Sequence, residues 1–229
     1  ATFFLSRALD GSALFDLAVL RPLLAALRRP RVLLVMLGLW CVAASLVFRD
    51  LVLLDQPIAD DEMAYDLIAK TLLHGRIVNP TPVDPPFIVN QFTLASPQIW
   101  FAKYPIGQGI FLALGQLLGS INLAMPLVGA IGVWLTYDIG CRLLDARRAA
   151  LACVLLALSP QYLFTNATWL SQPSSMLCML LAMSSVLRLR ESGRLRWALL
   201  LGAALGLGFL VRPLPSAGFA VAVVASYLF

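Results

Sequence analysis

From Val32 to Phe48 the chain runs without a single charged residue. Comparable apolar runs lie near 121–142, 148–165, 171–188, 196–211 and from about 214 onward. Runs of this length can cross a hydrocarbon core about 30 Å thick, and only helices or closed barrels satisfy their backbone there. Composition agrees. Charged residues make up 13% and mean hydropathy is +0.86, against roughly 25% charged in a soluble domain. The expected fold class is therefore an all-α integral membrane protein, a helical bundle of about six spans. The net charge of +5 and pI near 9.3 do not point to nucleic acid. The Arg residues fall in short clusters between apolar runs, as the positive-inside rule expects of cytoplasmic loops.

The clusters set the topology. Residues 1–31 carry Arg7, Arg21, Arg28, Arg29 and Arg31 and read as a cytoplasmic amphipathic leader on anionic headgroups. An ordinary topology-setting leader is the equal alternative. Residues 32–229 form the membrane module, which looks like the N-terminal part of something longer. Arg142, Arg147 and Arg148 form a second cluster, and Arg188, Arg190, Arg194 and Arg196 a third. An odd number of crossings must then separate the external loop 55–120 from Arg142. The short apolar run 106–118 is accordingly placed as an interfacial or re-entrant helix, with 121–142 crossing. Gly202, Gly206 and Gly208 suggest close helix packing in lipid.

The loop holds most of the acid. Seven of twelve acidic residues lie between Asp50 and Asp84. Asp60 or Asp61 caps a short helix ending near His74, with Gly75 just beyond. Ala64, Leu67, Ile68, Thr71 and Leu72 share one face of it, and Asp66 and Lys70 form an i,i+4 pair on another. Six prolines between 76 and 105 then favour an extended, structured loop. The four cysteines sit in apolar runs and read as small buried hydrophobes. A single histidine disfavours a His-based metal centre or a Ser-His-Asp triad.

Asp60, Asp61 and Glu62 are three adjacent carboxylates at a helix start. Capping and the helix dipole account for one of them, while three side by side repel. A carboxylate beside lipid can act as a general base. Lys103 and Arg212 lie on the same side of the membrane. Snorkelling and helix anchoring are the plain readings of each; together they suit a phosphate at headgroup depth.

In order, Asp61-Glu62-x-x-Tyr65-x-x-x-Ala69, Gly75, Pro80, Lys103-Tyr104-Pro105, Gly107 and the late Arg212-Pro213 resemble the GT-C membrane glycosyltransferases. The nearest branch is that of the protein O-mannosyltransferases and the lipid A aminoarabinose transferase. The resemblance implies an inverting transfer from a polyprenyl-phosphate sugar to a lipid, glycan or protein acceptor. It places that site on the external face of a membrane, by analogy the bacterial inner membrane. Asp61 matches the catalytic aspartate of the first external loop, with Asp60 and Glu62 as helpers. Lys103 matches the lysine near the donor phosphate, Arg212 joins it, and Tyr65 and Tyr104 would line the substrate pocket. The two interfacial helices of such enzymes correspond to 61–74 and 106–118. This chain departs from the pattern at Ala102, where Glu is common, and at Tyr104-Pro105-Ile106, where two prolines often follow the lysine. No cofactor or dedicated metal site is implied, and a divalent metal at the carboxylates stays open. The rivals are a transporter or lipid-linked-sugar flippase, which would place its charges at mid-membrane, and a non-catalytic assembly subunit with the same fold.

Overall fold

The computed structural model describes residues 29–81 and 91–228, with side chains to 225. The leader reading falls almost wholly on 1–28, and Pro82, Pro85 and Pro86 on 82–90, outside the described residues.

Helix α1 spans Pro30–Leu51, with proline in its first turn, where the missing N–H costs nothing. Val32, Val35, Met36, Leu39 and Trp40 leave an exposed apolar stripe on it, while Leu33, Leu37 and Cys41 pack inward. Helix α2 is Asp60–Leu73; its N-cap is Ala59 with no side-chain cap bond, so Asp60 and Asp61 sit inside the first turn and neither caps it as expected. Its end is enforced by Gly75 at φ +67°, the left-handed conformation glycine adopts without strain. The expected Asp66–Lys70 pair is present at 2.6 Å.

The loop that follows is not purely extended coil. It contains a three-stranded antiparallel sheet in the order β1-β3-β2, with β1 Asn79–Pro80, β2 Thr93–Ala95 and β3 Ile99–Ala102. Register pairs Leu94 with Phe101 and Asn79 with Trp100. An all-α description of the loop missed this sheet.

Helix α3, Gly107–Leu117, lies where the short apolar run was expected. A 3-10 turn at Ile121–Leu123 leads into α4, Ala124–Leu143. The run 148–165 is not one straight span. It divides into α5, Ala146–Ala157, and α6, Pro160–Ala167, bent by 58°. Pro160 has no N–H to continue α5, and Ser159 caps α6 by accepting from Tyr162 N. The break frees the Ala157 carbonyl, which accepts from the Trp40 indole of α1 at 3.0 Å. Helices α7, Gln172–Ser192, α8, Leu195–Val211, and α9, Pro213–Leu228, complete the chain.

By length and composition, Pro30–Leu51 and Ile121–Leu143 can each cross a membrane, and the bent α5–α6 pair makes a third. The molecule is thus a largely helical membrane protein. Of the three glycines expected to allow close packing, only Gly208 does so. It sits against Ser216 and Cys178, whereas Gly202 and Gly206 face open space.

Two packed clusters organise the interior. One joins α1, α4, α5 and α6 through Leu37, Cys41, Val133, Cys153 and Leu163. The other joins α2, α3 and α4 through Tyr65, Ile68, Leu112, Met125 and Val128. The second lies beneath the acidic loop and sets the position of α2.

Candidate active site

Two close approaches bring the loop end of the bundle together. A Cβ on Gly109 would run into Ile68, so α3 crosses α2 almost in contact. A Cβ on Gly107 would strike the Leu210 carbonyl, so the start of α3 is seated on the end of α8. Tyr104 lies three residues before the start of α3 and Arg212 immediately follows α8. This packing is what makes them neighbours.

Asp61 is half-buried in the first turn of α2. It acts on both tyrosines. Burial, followed by the hydrogen bond to the Asp61 carboxylate, pushes Tyr104 up to about 12, with Arg212 pulling the other way. Tyr65 is also raised, chiefly by burial and in part by Asp61. Its bond to Ser171 and the charge of Arg212 oppose the rise. Both phenols are therefore neutral near pH 7. The rings stack as a short column, with Tyr65 to Tyr104 at 4.8 Å and Tyr104 to Phe92 at 5.4 Å.

Asp61, Tyr65, Tyr104 and Arg212 thus form one constellation. The other candidates are placed differently. Asp60 is exposed. Lys103 is exposed and donates to the Gln91 carbonyl at 2.6 Å. It borders a groove of about 380 Å³ that Tyr104 also walls, together with Ile68, Leu72, Phe101 and Ile106. Glu62 is completely buried. Its carboxylate accepts from Arg49 Nη1 at 3.3 Å, Ile58 N at 3.3 Å and Trp169 N at 3.1 Å.

The residues beneath the site gave little sign of themselves in the sequence. Arg49 marked the end of the first apolar run, yet it is 1% exposed and its guanidinium lies 4.1 Å over the Trp169 ring. Arg49 Nε donates to Asp55 Oδ1 at 3.2 Å, and Asn122 Nδ2 donates to the same oxygen at 2.8 Å. The Trp169 indole donates to Asn122 Oδ1 at 3.0 Å, which closes a ring of polar contacts. Gln108 is fully buried and donates to the carbonyls of Trp169 and Leu170 at 2.8 and 3.1 Å. It also accepts from Ser174 Oγ. A Gln directly after the glycine opening an apolar helix was the available signal. Among the described residues no group of three or more His, Cys, Asp or Glu could hold a metal ion.

A family model described as dolichyl-phosphate-mannose-protein mannosyltransferase matches residues 104–229. Tyr104 and Arg212 lie inside the matched segment, Asp61 and Lys103 before it. No curated protein and no solved structure matches the chain.

Proposed function

The chain belongs to that dolichyl-phosphate-mannose-protein mannosyltransferase family, membrane glycosyltransferases of the GT-C type, and we propose that it moves a sugar from a polyprenyl-phosphate donor to an acceptor hydroxyl at the external face of the membrane. One observation carries the reading. The close packing of α3 on α2 and on the end of α8 gathers Asp61, Tyr65, Tyr104 and Arg212 at the end of the bundle remote from the Arg clusters. The positive-inside rule makes that end external, and the bacterial inner membrane is the setting the resemblance suggests. About six crossings fit the same rule, with α2 and α3 lying along the interface.

In the proposed reaction the acceptor oxygen attacks the anomeric carbon as the carbon–oxygen bond to phosphate breaks. The phosphate leaves with the bonding electron pair, and Asp61 takes the acceptor proton. A phosphate needs no proton to leave, so one base is sufficient. General-base assistance is worth ~10²–10⁴-fold. Attack opposite the leaving group inverts the sugar carbon. Arg212 holds the donor phosphate by charge-assisted hydrogen bonds, joined by Lys103 when its ammonium exchanges the Gln91 carbonyl for that phosphate. Tyr104 orients the Asp61 carboxylate, and the Tyr65–Tyr104 column offers a face for the sugar ring. Asp60, one residue away and solvated, tunes the local charge.

The deciding experiment is Asp61→Asn in the full chain, assayed with dolichyl-phosphate mannose and with other polyprenyl-phosphate sugars. The variant keeps the shape of the side chain but cannot accept the proton. Donor binding should persist while transfer falls by ~10²-fold or more. Normal transfer by Asp61→Asn would end the assignment.

A further inference from the structure

We propose that the buried Arg49–Glu62 pair, roofed by Trp169, is the positioning device that holds Asp61 beside Tyr104. The inference rests on the reading of Asp61 as the base. Glu62 follows Asp61 in the chain, so whatever fixes its carboxylate fixes the first turn of α2. Three separate segments fix it: α1 through Arg49, the α1–α2 corner through the Ile58 amide, and the α6–α7 turn through the Trp169 amide. That same turn is gripped from α3 by Gln108, through the Trp169 and Leu170 carbonyls. Gln108 is next to Gly107, which seats α3 on Leu210, two residues before Arg212. The turn is therefore the common reference for the helix carrying Asp61 and for the segments carrying Tyr104 and Arg212.

Two further observations speak for geometry rather than stability. A buried ion pair is often no more stabilising than an apolar pair of equal volume, and Arg49 Nη2 is buried with no hydrogen-bond partner. The corner joining α1 to α2 also places two consecutive non-glycine residues in the left-handed region, Leu54 at φ 51° and Asp55 at φ 55°. Such strain persists where surrounding bonds over-determine the backbone, and it gathers at functional sites. Here Arg49 Nε and Asn122 Nδ2 both hold the Asp55 carboxylate.

The test uses the full chain in lipid nanodiscs with fluorotyrosine at position 104, whose ¹⁹F resonance reports contact with Asp61. Asp61→Asn sets the reference for a lost contact. The double variant Arg49→Met/Glu62→Leu removes both charges at similar volume but leaves the Ile58 and Trp169 amides without their acceptor, so its thermal midpoint should fall less than that of Arg49→Ala. Its resonance should nonetheless move toward the Asp61→Asn position. With dolichyl-phosphate mannose, kcat should fall about tenfold or more while KM changes less than about twofold. A parental resonance and parental kcat in the double variant would overturn the proposal. A shifted resonance with normal transfer by Asp61→Asn would instead overturn the base assignment beneath it. Glu62→Gln gives a second check, with the same resonance shift expected if it folds. If it does not fold, the double variant alone decides.

Discussion

Both ends of the bundle are tied by arginine and carboxylate, in different ways. At the loop end, Arg49 and Glu62 are sealed from solvent and each partner is met from a fixed direction. At the Arg-rich end, Asp138 of α4 is shared by Arg142, by Arg188 at 2.5 Å and by Ser184 at 2.6 Å. Arg142 also pairs with Glu191. That cluster stays partly solvated: Asp138 is 23% and Arg188 31% exposed. Arg188 and Arg196 also flank the Trp197 ring. One end is a fixed joint. The other is a charged collar with interchangeable partners, suited to holding α4, α7 and α8 together.

The comparison breaks most sharply on single arginine removals. Arg49→Ala strands a buried Glu62 carboxylate and should cost about 3–5 kcal/mol. Arg188→Ala leaves Asp138 with Arg142 and water and should cost well under half as much. Thermal unfolding of the two variants in one detergent compares them, and equal losses would erase the distinction. The next effect belongs to the constellation above the joint. Arg212→Ala should weaken dolichyl phosphate binding about tenfold, since a charge-assisted contact is worth roughly 1.5–3 kcal/mol, while the unfolding midpoint holds. Lys103→Ala, starting from an exposed ammonium, should do less. Leu54→Gly sharpens the picture in the opposite direction. It relieves a left-handed residue and should stabilise the fold by about 1 kcal/mol; a loss would mean that the Leu54 side chain matters more than its backbone.

The smallest effect lies at the collar. Asp145 caps α5 by accepting from Arg147 N and Arg148 N at 2.9 and 3.0 Å. The Arg148 amide above all, with that of Arg147 and the two charges, holds its carboxyl below the usual range. A depressed carboxyl contributes stability above its unfolded value, and that contribution fades as pH falls through the folded one. Asp145→Ala should therefore lower the unfolding midpoint slightly at pH 7, and the difference from the parent should vanish in acid.

Much of the fold was legible in the sequence because lipid imposes simple patterns. The run Val32–Phe48 could only be buried or spanning, and Gly75 ended α2 where its φ demands glycine. The bend at Pro160 was also written in the chain, in Ser159-Pro160. Its flanks were apolar enough to look continuous, and hydropathy does not register a missing N–H. The sheet was hidden because strands of two to four residues carry too few alternations to show a period. The site was half legible. Asp61 and Arg212 stood out as charges in apolar surroundings, yet nothing in their spacing stated that Gly107 would seat α3 on α8. Glu62 looked like a third member of an acidic cluster because its partner, Arg49, seemed to belong to the end of a span. Only the folded chain shows that Arg49 points inward.

That inward arginine has a consequence for how the protein is made. During synthesis α1 enters the membrane with a cation in its final turns. The matching carboxylate follows thirteen residues later, but the Trp169 amide that completes the pocket emerges 107 residues after Glu62. At ~5–20 residues per second the nascent chain waits roughly 5–20 s for it. Through that interval α1 must rest against a chaperoning surface or let Arg49 reach toward headgroups. The helix that founds the fold therefore settles only when the α6–α7 turn arrives, and the first turn of α2 settles with it.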